Sequence, residues 1–133
     1  MNPRVQLALN VSDLEAAIEF YTKLFTREPA KRREGYANFA LDEPPLKLVL
    51  IENPTAGGTL NHLGVEVGST SDVTAATERL SEQGVRTRSE VGTCCYALQD
   101  KVWVTDPDGA PWEVYTVLAD SAQARDADPA ACC

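Results

Sequence analysis

The chain is written twice, and that constrains its fold more than any single motif. Laying QLALNV-SDLEAAI over HLGVEV-GSTSDVTAA superposes Gln6 on His62, and further on Leu46-Lys47-Leu48-Val49 falls on Trp112-Glu113-Val114-Tyr115. A duplicated unit of this size that cannot bury its own sheet face must pack against its copy. In the first copy, RVQLALNV at 4–11 alternates as a strand does and runs into Ser12, a favourable helix N-cap. The following helix sets Leu14, Ala17, Ile18, Tyr21, Leu24 and Phe25 on one face and stops before Pro29. GYANFALDEPPLKLVLIE at 35–52 then reads as two antiparallel strands separated by a turn at Pro44-Pro45. After a loop at 53–59 the order begins again: LNHLGVEV at 60–67, a Ser/Thr/Asp cap, and an amphipathic helix near 72–82 with Val73, Ala76, Thr77 and Leu80 inward, ending at Gly84. TCCYALQDKVWV at 93–104, a turn at DPDGAP and PWEVYTV complete the second copy as strands. The predicted fold class is α+β: two βαβββ modules, about 4–52 and 60–118, forming a cupped, mostly antiparallel mixed sheet within one domain over 1–119.

With 133 residues, 44% of them hydrophobic, the chain suffices for one compact core and not for two independent domains. The segment DSAQARDADPAACC at 120–133 lacks the apolar area to order itself and is predicted to be a disordered tail ending in Cys-Cys. A net charge of −8 disfavours approach to nucleic-acid phosphates or an anionic bilayer, which leaves a small molecule or metal ion as the partner. No stretch reaches the roughly 18 to 20 apolar residues that span a membrane, and the N-terminus meets charge before any signal-like run develops, so a cytoplasmic location is expected. The four cysteines form two adjacent pairs, Cys94-Cys95 and Cys132-Cys133, a poor layout for disulfides between distant segments. Neighbouring thiols in a reducing compartment suit a soft ion better.

Three positions are candidates for holding a metal. His62 is the only histidine, and a lone histidine is ordinarily structural or exposed; its duplicate-related partner, however, is Gln6, a polar residue inside an apolar strand and in phase with Ala8 and Asn10. Glu113 lies within the apolar run Trp112 to Val117, where an inward carboxylate is costly unless a cation neutralises it, though an outward, solvated orientation is the plainer reading for an isolated glutamate. Glu52 differs from Lys47, the counterpart of Glu113, by five residues and so has the wrong strand parity for a fourth ligand. Gln6, His62 and Glu113 together make a three-ligand set with open positions, suited to Lewis-acid work or dioxygen chemistry at a ferrous ion. Cys94 and Cys95 cannot both face one side of a regular strand; they suggest a loop at the mouth of the cup, where two thiols chelate a thiophilic centre, the alternative being a buried apolar pair. Cys132 and Cys133 offer the same soft-metal chemistry without a scaffold.

The segments RVQLALNVSDLEAAIEFYTKLF, GYANFA, PPLKLVLIE, LNHLGVEV, TCCYALQDKVWV and PWEVY resemble the vicinal-oxygen-chelate (glyoxalase, bleomycin resistance and dioxygenase) superfamily, within it the family of cadmium-induced proteins and carbon–arsenic lyases. The resemblance runs from residue 4 to about 120. It implies Fe(II)- and dioxygen-dependent cleavage of the carbon–arsenic bond of trivalent organoarsenicals, with other divalent metals as substitutes for iron. By position, Gln6, His62 and Glu113 match the family's metal ligands and catalytic centre, and Cys94 and Cys95 its arsenical-binding thiols. The terminal Cys-Cys is similar to the cadmium-induced branch, so cadmium or arsenic binding without catalysis is the alternative. A glyoxalase-like lyase or thiol transferase is a second, disfavoured by Lys47 and by a glutamine on the first strand. Proteins of this fold often pair, which makes a homodimer a further expectation.

Overall fold

The computed structural model describes residues 2–124. The chain forms β1 (Arg4–Val11), α1 (Leu14–Phe25), β2 (Lys31–Arg33), β3 (Tyr36–Asp42), β4 (Pro45–Glu52), a single 3₁₀ turn (Pro54–Ala56), β5 (Thr59–Glu66), α2 (Thr70–Glu82), β6 (Arg88–Cys94), β7 (Ala97–Thr105) and β8 (Pro111–Asp120). Two compact units divide within β5: one spans Arg4–Leu63, the other begins at Gly64. In the N-terminal unit the hydrogen-bonded strand order is β2-β3-β4-β1-β5, and in the C-terminal unit β5-β8-β7-β6. The fold is therefore α+β and mixed, each unit carrying one helix on mostly antiparallel strands.

Each helix starts where a side chain can replace the missing intrahelical acceptor. The N-cap of α1 is Asp13, whose carboxylate accepts from Ala16 N at 3.1 Å, and Glu52 Oε2 accepts from Leu14 N at 2.9 Å. Ser12, the expected cap, instead sits one residue early and packs on Gly57; a Cβ added at Gly57 would lie 2.8 Å from that of Ser12. This close approach admits only glycine and fixes the loop before β5 against the end of β1. In α2, Ser69 caps by accepting from Asp72 N, and Gly84 at φ 80° ends the helical run in a left-handed conformation.

The N-terminal core joins Leu14 and Ile18 of α1 to Ala37, Phe39 and Leu41 of β3 and Leu48 and Leu50 of β4, with Tyr21 edge-on to Phe39. A crossover through α1 makes β4 parallel to β1, in the register Gln6↔Lys47. In the C-terminal unit α2 packs on β7 and β8 through Val73 and Ala76. Helix-on-last-hairpin packing thus occurs in both copies, as the internal repeat requires.

The stretch 93–104, expected to carry Cys94 and Cys95 in a loop, holds the tip and second strand of a hairpin. β6 pairs with β7 in the register Cys94↔Ala97, so Cys95 and Tyr96 form a two-residue turn. β2, too short and too charged to announce itself, is a further departure from the sequence reading. β8 continues to Asp120, so the first residue of the predicted tail is strand; the residues from 125 on, Cys132 and Cys133 among them, lie outside the described part of the chain. No helix among the described residues is long and apolar enough to cross a membrane.

Candidate metal centre and thiol pair

Two of the three expected metal ligands belong to the N-terminal unit and meet there. β1 alternates so that Gln6, Ala8 and Asn10 are buried, and β5 so that His62 is. Gln6 Nε2 lies 3.2 Å from His62 Nε2, with the two residues 5% and 3% exposed. The contact is a hydrogen bond that brings the Gln6 amide and the His62 imidazole together as a buried polar pair. Among the described residues no three His, Cys, Asp or Glu side chains cluster as metal ligands; a set containing glutamine is of another kind.

His62 is also held from behind. Its Nδ1 lies 2.7 Å from Asn61 Oδ1, Asn61 Nδ2 donates to Asn10 Oδ1 at 3.1 Å, and Asn10 Nδ2 donates to Thr59 Oγ1 at 2.9 Å. An imidazole whose second nitrogen is engaged by an acceptor is the usual arrangement of a metal-ligating histidine. Of these supports, strand alternation marked only Asn10 in advance. Asn61 and Thr59 carry no sequence signal of their own, because their role depends on β5 lying beside β1.

Glu113, in the C-terminal unit, is buried at 2% exposure, and the cation its burial demands is supplied by the chain itself. Lys101 Nζ, also 2% exposed, donates to Glu113 Oε1 at 2.9 Å. Trp103 lies opposite Glu113 and Lys101 opposite Tyr115, so the ion pair is the diagonal of a four-residue square on one face of β7 and β8. The ammonium sits 5.3 Å from the Trp103 ring centre and 5.8 Å from that of Tyr115. Lys101 was not singled out from sequence; it becomes meaningful only once the β7–β8 register is known. Glu66, buried at the end of β5, was likewise missed.

The cysteines occupy the tip of the β6–β7 hairpin. Cys94 is buried, Cys95 half-buried, and their sulfurs are 3.7 Å apart. Cys95 and Tyr96 both have positive φ, 51° and 61°, the conformation of the tight hairpin turns that ordinarily take Asn or Gly. A turn position for the pair agrees with the expected loop; the expectation of reduced thiols does not hold. Both cysteines are disulfide-bonded.

Residues 4–114 match the model of the Glyoxalase/Bleomycin resistance protein/Dioxygenase superfamily, and the chain belongs to that superfamily. Within it, the cadmium-induced protein CadI of Mycobacterium tuberculosis (strain ATCC 25618 / H37Rv) is 71% identical over 119 residues, covering 89% of this chain and 78% of the relative. The trivalent organoarsenical cleaving enzyme of Thermomonospora curvata is 60% identical over 132 residues, covering 98% and 87%. Among solved structures, an extradiol ring-cleaving dioxygenase from B. fuscum superposes with a TM-score of 0.65 at 25% identity, over 88% of this chain and 33% of that one.

Proposed function

We propose that the protein cleaves the carbon–arsenic bond of trivalent organoarsenicals, using Fe(II) and dioxygen. The observation that carries this reading is the 60% identity, over nearly the whole chain, to a trivalent organoarsenical cleaving enzyme. The buried Gln6–His62 pair supports it by bringing a side-chain amide and the imidazole together on adjacent strands. In this reading Gln6, His62 and Glu113 hold the metal, and Cys94 and Cys95, once reduced, hold the arsenic. Iron, when bound, supplies Lewis acidity and the electrons for dioxygen chemistry; other divalent metals take the same donors. The chain contributes position: a chelated arsenical is held in one place instead of diffusing. The protein works in the cytoplasm, where thiols are kept reduced.

Methylarsenite is added anaerobically to reduced, iron-loaded protein, air is admitted, and inorganic arsenite is measured. Release above the level of a Glu113→Ala control is expected; release no higher than that control rejects catalysis. A second reading, capture of cadmium or arsenic without turnover, is favoured by the 71% identity to a cadmium-induced protein. It predicts that the same protein retains methylarsenite unchanged. In a Cys94→Ser/Cys95→Ser variant arsenical affinity is lost while iron is kept, and loss of both would contradict this division of roles.

A further inference from the structure

The polar line behind His62 has a direction, and the direction settles which imidazole nitrogen carries the proton. An amide's two ends are told apart by what they face. The anchor is the carbonyl of Ala56, which can only accept, so the Thr59 hydroxyl, 2.6 Å away, commits its single proton there. Thr59 Oγ1 then accepts from Asn10, which must present Nδ2, at 2.9 Å. Asn10 consequently turns Oδ1 toward Asn61 Nδ2 at 3.1 Å, and Asn61 in turn presents Oδ1 to His62 Nδ1 at 2.7 Å. An oxygen without a proton, facing Nδ1 at that distance, requires Nδ1–H. In the neutral imidazole Nε2 is left with its lone pair, directed at Gln6.

We infer that Asn61, backed by Asn10 and Thr59, is a positioning residue for His62, fixing its Nδ1–H tautomer and presenting Nε2 as a ligand; the inference rests on the metal-dependent reading above and deepens it. A consequence follows for Gln6. Opposite a lone pair the glutamine nitrogen donates, as the 3.2 Å contact has it, whereas a cation calls for the amide oxygen. Loading the site therefore includes a half-turn of the Gln6 amide.

His62 is the only histidine, so ¹⁵N-labelled, metal-free protein gives one imidazole spin system in nitrogen-correlated NMR. At a pH where the ring is neutral, wild type is expected to show a protonated Nδ1 and an unprotonated Nε2. Asn61→Leu should shift the ring toward the Nε2–H tautomer and weaken Mn(II) binding, followed by electron paramagnetic resonance, by about 10- to 100-fold. Asn61→Asp keeps an acceptor oxygen and should restore both. Thr59→Val, which frees the anchored end without touching the imidazole, should give an intermediate mixture. Wild-type protein with Nε2 protonated, a measurement that needs no variant to fold, overturns the inference; so does a tautomer unmoved by Asn61→Leu. If the tautomer responds as stated but wild type takes up no Mn(II), the hydrogen-bonded line stands and the metal reading falls.

Discussion

At the scale of single residues, the decisive feature of the C-terminal unit is that its buried carboxylate has a built-in counter-charge. Lys101 and Glu113, both at 2% exposure, are each tolerable only because of the other. Removing the ammonium alone with Lys101→Met is expected to cost about 3–5 kcal/mol, read as a drop in the urea midpoint, because an uncompensated charge is left inside. The double variant Lys101→Met/Glu113→Gln should recover most of that loss, since the charges leave together. Under the proposed function, Mn(II) should stabilise Lys101→Met more than wild type, a cation taking over the neutralisation of Glu113. Equal stabilisation of the two proteins would separate Glu113 from the metal.

At the scale of elements, the β6–β7 hairpin combines a demanding turn with residues chosen for other reasons. Cys95 and Tyr96 adopt the left-handed conformation without the glycine or asparagine that usually supplies it, at a cost of order 1 kcal/mol or more each. Cys95→Asn tests the trade: under reducing conditions the melting temperature should hold or rise, because asparagine suits the turn, while affinity for methylarsenite should fall about 100-fold as a two-thiol chelate becomes a single ligand. A melting temperature lowered by several degrees would mean that the sulfur, not the turn, carries the local stability. In the first copy, the α1 cap offers an independent check on boundary assignment. Asp13→Ala should lose about 1 kcal/mol, and Ser12→Ala much less, in thermal unfolding.

At the scale of the whole molecule, ligand linkage and redox state govern behaviour. Binding at 100 times the dissociation constant adds about 2.7 kcal/mol to stability, so Mn(II) should raise the melting temperature of wild type and leave that of His62→Ala unchanged. Because Cys94 and Cys95 are disulfide-bonded in the structure, oxidised protein should bind no methylarsenite and a thiol reductant should switch binding on. Arsenical bound equally by oxidised and reduced protein would remove the cysteines from the proposed site.

The repeat, the two helices and the fold class were legible in the sequence because strand alternation, helical periodicity and duplication are local or additive properties of the chain. So was the pairing of Gln6 with His62, since two copies place equivalent residues at equivalent strand positions. Burial of Glu113 could be argued from its apolar neighbours, but not the identity of its partner. Lys101 reaches it diagonally across a register that only the folded hairpin defines. Asn61 and Thr59 are ordinary polar residues until β5 lies beside β1 and a backbone carbonyl gives their hydrogen bonds a direction. The helix cap fell on Asp13, whose carboxylate reaches Ala16 N, while Ser12 packs closely on Gly57 of a later loop, a contact that the local sequence does not announce. Sequence thus determined which residues are available for chemistry, while tertiary structure decided what each one faces, since hydrogen bonds and ion pairs are chosen by proximity between segments that the chain keeps far apart.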